Sequence, residues 1–281
     1  QEQEGQPLVN HAGAETLPPG SIFKIITTAA GLNNGFDPSS TLTGSNVITL
    51  PDTVTELTNY ANQKCNGQDA VTLQTAFALS CNTAFVEMSE QLGADELRKY
   101  AKAFGVGENY DLGVSTSAGT LGDLPDGSAT AQSVIGQRDV TMTALQAAVM
   151  AGTVANKGTR MQPYLVNRIT DAQMKDVRTT KPKKADQAVN EETAATLTDL
   201  MYASERSSWG YDGNGFASKT GTAEHGEGLA PHVWYVAFDP ERDIAVGVVV
   251  KNGGNLGESA TGGKVSGPIG RAILRAYQGE Q

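Results

Sequence analysis

Three apolar runs in the last third of the chain restrict its fold more than any other feature: Phe216 to Ala223, Val233 to Phe238 and Ile244 to Lys251 all read as strands. The last two are joined only by Asp239-Pro240-Glu241-Arg242-Asp243, a turn short enough to require antiparallel pairing. Ser266 to Tyr277 then read as an amphipathic helix, with Ile269, Ala272, Ile273, Ala276 and Tyr277 on one face. Between strand and helix, residues 252–263 hold five glycines and little apolar surface, which predicts a mobile excursion.

The earlier part of the chain is helical in pattern. Leu17-Pro18-Pro19-Gly20 is a turn that delivers the chain into a predicted helix from Ser21 to about Leu32, with Phe23, Ile26 and Ala30 on one side. Residues 36–62 are rich in Thr, Ser, Asn and Pro and predict short strands and loops. Thr72 opens a short helix that runs into Ser80-Cys81-Asn82, a second helical stretch ends at Leu92-Gly93, and residues 95–104 form a third. Residues 105–136, rich in Gly, Ser and Thr, read as loop. Thr143 and Gln146 form a capping box for a helix that ends at Asn156-Lys157-Gly158. The expected fold class is α/β in the α+β sense: an antiparallel sheet covered by N- and C-terminal helices, beside a mostly all-α lobe over 65–160, with a cleft between them. Residues 1–281 form one such domain, and 1–20 are its lead-in from an upstream region.

Charge and composition exclude several functions. A net charge of -10 opposes a phosphate-tracking groove or an anionic-membrane patch, so nucleic acid is not expected as a partner. The densest basic run, Lys181-Pro182-Lys183-Lys184, reads as a solvated loop. No stretch of eighteen apolar residues occurs, so any membrane attachment is expected through an anchor outside this sequence. Two cysteines and three unpaired histidines predict no metal site and no cofactor. Cys65 and Cys81 fit either a disulfide or, for Cys81, a small buried apolar residue.

The candidate chemistry lies in three short motifs. A serine hydroxyl needs a base within reach to become a nucleophile. Ser21 and Lys24 stand at i and i+3, on one face of a helix, so the amine can approach the hydroxyl if burial or a second ammonium such as Lys219 keeps it neutral. Ser21 at a helix start also sets its backbone N–H where negative charge is favoured. Alone, this spacing equally suits a solvated helix face. Ser80-Cys81-Asn82 adds a proton-relaying hydroxyl and an amide, and alone would be a turn or cap. Lys219-Thr220-Gly221-Thr222 falls on a predicted strand, with Thr220 and Thr222 on one face and Lys219 and Gly221 on the other.

Ser-x-x-Lys, Ser-x-Asn and Lys-Thr-Gly in this chain order resemble the motif set of the penicillin-recognising serine enzymes. The flanking segments, Leu17-Pro-Pro-Gly-Ser-Ile-Phe-Lys24, Ser80-Cys-Asn-Thr-Ala-Phe85, Ile135-Gly-Gln137 and Lys219-Thr-Gly-Thr-Ala-Glu224, resemble the transpeptidase domain of class B penicillin-binding proteins of actinobacterial type. The resemblance implies the penicillin-binding protein/serine β-lactamase-like fold and peptidoglycan D,D-transpeptidation. Ser21 would be acylated by a D-Ala-D-Ala stem peptide, Lys24 would take its proton, Ser80 would pass a proton to the leaving nitrogen, and Asn82 would hold Lys24 and the substrate amide. Lys219 would set the electrostatics, Thr220 and Thr222 would bind the terminal carboxylate, and Gly221 would let substrate lie close to the strand. β-Lactams would acylate Ser21, and a membrane glycan polymerase would be the partner, on the extracytoplasmic face of the membrane. A class A β-lactamase would need a Glu downstream of Ser-x-Asn, and none occurs from Asn109 to Asn190. Class D enzymes carry an apolar residue at position 82 and class C a tyrosine at 80. A D-Ala-D-Ala carboxypeptidase or a non-catalytic β-lactam sensor would share these residues.

Overall fold

The computed structural model describes residues 9–226 and 228–279. In chain order, α1 (His11–Ala14) and a 3-10 turn at Gly20–Phe23 lead into α2 (Lys24–Leu32). The predicted helix therefore opens one turn tighter than an α-helix. Every residue of α2 from Lys24 to Gly31 is buried, because α4 and α7 both pack against it, so the expected one-sided stripe gives way to a helix enclosed all round. Residues 36–62 do form short strands, β1 (Thr41–Thr43), β2 (Val47–Thr49) and β3 (Glu56–Thr58). β2 pairs with β3, and β1 with β4 (Ala70–Thr72), both antiparallel.

Thr72 caps α3 (Leu73–Leu79), its hydroxyl accepting from the Thr75 amide at 3.2 Å. α4 (Asn82–Ala103) kinks at Gly93, which separates the two helical stretches read from the sequence. Within the supposed loop 105–136 lies α5 (Gly127–Ser133), started by Asp126, whose carboxylate accepts from the Ala129 amide at 2.7 Å. Its Gly-Ser-Ala-Thr-Ala-Gln-Ser sequence packs on α4 through small side chains, which leave no apolar period to read. α6 (Ala144–Ala155) begins at the Thr143–Gln146 capping box as expected. The next segment holds two small antiparallel pairs, β5 (Thr159–Met161) with β8 (Lys184–Gln187) and β6 (Arg168–Thr170) with β7 (Asp176–Thr179), and then α7 (Glu191–Ser207).

The late strands β9 (Ala217–Ala223), β10 (His232–Asp239) and β11 (Ile244–Val250) form an antiparallel sheet in the order β11-β10-β9. β10 is buried at every position. Its alternate residues serve two cores: Trp234, Val236 and Phe238 join the large one, which includes Ala147, Met150 and Ala151 of α6, while Tyr235 and Ala237 pack with Leu274 of α8 (Gly262–Gly279). One face of the sheet is therefore covered by α6 and the other by α8.

α8 turns a different face inward from the one its sequence suggested. Ser266, Gly267, Gly270, Arg271 and Leu274 are buried, whereas Ile269 and Ile273 are each 44% exposed and Ala272 and Ala276 are also exposed. The physical cause is Tyr235: a Cβ at Gly270 would stand 2.3 Å from its ring, so only a glycine lets the helix close over that side chain. Residues 251–259 form 3-10 turns rather than an unstructured excursion. Cys65 and Cys81 are joined in a disulfide, with a Cα–Cα distance of 5.7 Å. No helix among the described residues is long and apolar enough to cross a membrane.

Candidate active site

The turn before α2 is built to hold one serine in place. Gly20 adopts a φ of +53°, open to glycine at little cost, and its amide donates to Gly136 O at 3.0 Å. The Trp234 indole donates to Pro18 O at 2.8 Å, and Leu17 pairs with Met142 as a β-bridge. Gly20, Ile22 and Phe23 are buried, which leaves Ser21 as the half-buried residue of the turn.

Lys24, one helical turn on, is fully buried. Its amine donates to Ser80 O at 2.8 Å and Asn82 Oδ1 at 2.8 Å, and lies 3.3 Å from Ser80 Oγ. Ser80 occupies the C-cap of α3 in the left-handed region, with φ 62°. This uncommon conformation for a serine turns the chain so that its carbonyl, its hydroxyl and the Asn82 amide all face the same amine. The disulfide at Cys81 ties this turn to Cys65, and Asn82 Nδ2 donates to Thr58 O at 3.2 Å.

Lys219 comes from β9, which packs against the turn that carries Ser21, and is likewise fully buried. Its amine donates to Ser80 Oγ at 2.9 Å and to Thr220 O at 3.0 Å. Two lysine amines thus meet on one serine hydroxyl, with the Phe85 ring 5.2 Å from the Lys24 amine and the Phe77 ring 5.8 Å from that of Lys219. Burial, reinforced by the charge of Lys219, pushes the Lys24 amine well below the ordinary lysine range. Burial pushes Lys219 down to about 7. Lys24 thus gives up its proton more readily than an ordinary lysine, while Lys219 still carries charge for part of the time near neutral pH.

Thr220 and Thr222 are half-buried, and Thr222 Oγ1 accepts from the Gly262 amide at 3.4 Å. Gly221 has a different use from the one its motif suggests. The direction its Cβ would take is filled by the nucleophile turn, 2.7 Å from Pro19 O and 3.2 Å from Ile22 N, and not by open cleft. The missing side chain lets the strand and the Ser21 turn meet backbone to backbone. Gly221→Ala must push that turn away, and we expect the acylation rate by a labelled penicillin to fall at least tenfold while the far-ultraviolet spectrum stays unchanged. A variant that reacts at the parental rate would rule out this close-approach role.

One cluster behind the site has no sequence signature. Glu205, on α7, is buried and accepts from Arg271 Nε at 2.6 Å, Tyr235 Oη at 3.0 Å, Asn214 Nδ2 at 2.9 Å and the Ser218 hydroxyl. Burial raises the carboxyl, but these donors, Arg271 foremost, outweigh it and hold Glu205 below its ordinary range. The network locks Ser218, the residue before Lys219, to α7 and α8. Its members are spread over sixty-six positions, from Glu205 to Arg271, with no local spacing that could announce them. Among the described residues no three His, Cys, Asp or Glu side chains are placed to hold a metal; His225 and His232 instead stack face to face at 3.9 Å.

Comparison with known proteins points the same way. The sequence model of the penicillin binding protein transpeptidase domain matches residues 1–275. The chain is 45% identical over 279 residues to the peptidoglycan D,D-transpeptidase PbpA of Mycolicibacterium smegmatis, covering 96% of this chain and 57% of that protein. It is 42% identical to PbpA of Mycobacterium tuberculosis, covering 98% of this chain and 58% of that one. The solved penicillin G acyl-enzyme complex of penicillin-binding protein A from M. tuberculosis superposes with a TM-score of 0.93 at 41% identity, over 99% of this chain and 64% of that structure. The chain thus spans somewhat more than half the length of the curated relatives it matches.

Proposed function

Since this chain belongs to the penicillin-binding protein transpeptidase family, we propose that it crosslinks peptidoglycan stem peptides through an acyl-enzyme on Ser21. The observation that carries the reading is the convergence of the Lys24 and Lys219 amines on Ser80 Oγ, from a helix and a strand that both pack on the turn carrying Ser21. The penultimate D-alanine carbonyl of a stem peptide is attacked by Ser21 Oγ as Lys24 Nζ takes the hydroxyl proton. The oxyanion is received by the backbone N–H groups of Ser21 and Thr222, a pairing supported by the backbone contact between their segments. Ser80 then relays a proton from Lys24 to the nitrogen of the leaving D-alanine as the C–N bond breaks, with Asn82 holding Lys24 in line. Thr220, Thr222 and the Lys219 ammonium receive the terminal carboxylate. The amine of a second stem peptide attacks the ester, giving the crosslink and restoring Ser21. A β-lactam enters the same sequence, but its cleaved amine stays tethered and the ester persists. Such a substrate is displayed outside the cytoplasm, which supports a place of action at the extracytoplasmic face of the cell membrane, with a membrane glycan polymerase as the partner that supplies its strands.

Mass spectrometry after exposure to penicillin tests this directly, with a single adduct expected on Ser21 and none on Ser21→Ala. An adduct elsewhere, or one hydrolysed within seconds, would overturn it. The pH profile of acylation gives a second check. The rate should rise with pH as Lys24 deprotonates, then fall as Lys219 loses its proton, with the alkaline limb near 7 rather than near the ordinary lysine value of about 10.4. In Lys219→Gln the alkaline limb should vanish, and the acid limb should move to higher pH because the charge that depresses Lys24 is gone.

A further inference from the structure

The basic run Lys181-Pro182-Lys183-Lys184 has no place in the chemistry above; all four residues are exposed, as a solvated run should be, and two of its lysines border a concavity. Arg178, Lys181 and Lys183 rim a cavity of about 450 Å³. Leu112, Tyr164, Leu165, Val166 and Ile169 supply the apolar part of its lining. Leu165 is 64% exposed and Val166 54%, both large apolar side chains with no packing duty that would explain their position. The hairpin behind them is pinned by short backbone bonds, Thr180 N to Asn167 O at 2.7 Å and Gln162 N to Lys183 O at 2.8 Å, so the concavity is preformed.

Charge decides what fits it. The chain as a whole carries -10, yet none of the three rim cations forms a salt bridge among the described residues. The single carboxylate in the lining, Asp111, already accepts from the Gly113 amide of its own loop at 3.2 Å. An apolar hollow edged by unpaired cations on an acidic protein complements an apolar anchor flanked by carboxylates. We propose that this groove docks an acidic, apolar peptide segment of a partner protein, at a surface separate from the Ser21 site. The concave shape favours a peptide over a membrane surface, which a flat or convex basic patch would suit better.

A random dodecapeptide phage library selected on the chain tests this, followed by fluorescence polarisation of the best selected peptide. We expect a consensus of one or two large apolar residues flanked by Asp or Glu. Its binding should weaken at least tenfold in Lys181→Glu/Lys183→Glu and in Leu165→Ser, and should fall as salt is raised. Both variants change exposed side chains and should acylate with penicillin at the parental rate, which separates failure of this surface from failure of the active site. The proposal is overturned if no such consensus emerges, if the variants bind the peptide as well as the parent does, or if phosphatidylglycerol vesicles, and not the peptide, are what these residues bind.

Discussion

Lys24→Met should leave a folded protein whose acylation by penicillin is slower by about 10³ to 10⁴-fold, near the top of the range that a positioned general base supplies. Methionine matches the length and burial of the lysine stem but has no nitrogen to take the Ser21 proton. The loss should exceed that of Lys219→Gln, since Lys219 reaches the reaction through Ser80 Oγ and through its charge. A stopped-flow measurement with a chromogenic cephalosporin gives the acylation rate, and thermal unfolding monitors the fold. If Lys24→Met reacts within tenfold of the parent while Lys219→Gln is dead, the base has been assigned to the wrong amine.

Arg271→Met carries the largest expected cost in stability. It leaves the Glu205 carboxylate buried without its cation, and breaking a buried pair in this way costs about 3–5 kcal/mol. At roughly 2–4 °C per kcal/mol for a chain of this size, the melting temperature should drop by about 6–20 °C. Because Glu205 is depressed by its donors, the stability it contributes is present above its unfolded pKa and lost as pH falls through the lower folded value. The deficit between parent and variant should therefore narrow in acid. Glu205→Leu/Arg271→Met, which removes both charges, should recover much of the loss, as buried pairs replaced together by apolar residues often do. A single variant that melts within 1 °C of the parent would show that the pair is dispensable. Acylation should fall alongside stability in Arg271→Met, since Ser218 beside Lys219 hangs on the same carboxylate.

Neither result could have been argued from spacing alone to the same extent. Ser21 and Lys24 were legible because i and i+3 on one helix is a local relation, and Lys219-Thr220-Gly221 because an alternating strand fixes which side chains share a face. The three late strands and the Thr143–Gln146 capping box were legible for the same reason: their signals are complete within a few residues. α5 was missed because small residues carry almost no apolar period, and the face of α8 was misread because glycines and an arginine, not isoleucines, meet the sheet.

The sequence by itself pointed to the candidate reactive groups, the antiparallel pairing of the last two strands and the family. Tertiary structure alone decided that Ser80 turns left-handed to receive two amines, that the space beside Gly221 belongs to the nucleophile turn, and that Glu205 finds Arg271 sixty-six residues away. The physical reason is range. Helix and strand periodicities are set by bonds between near neighbours, whereas the pKa of a buried lysine or carboxylate is set by the burial and the partners that only folding supplies.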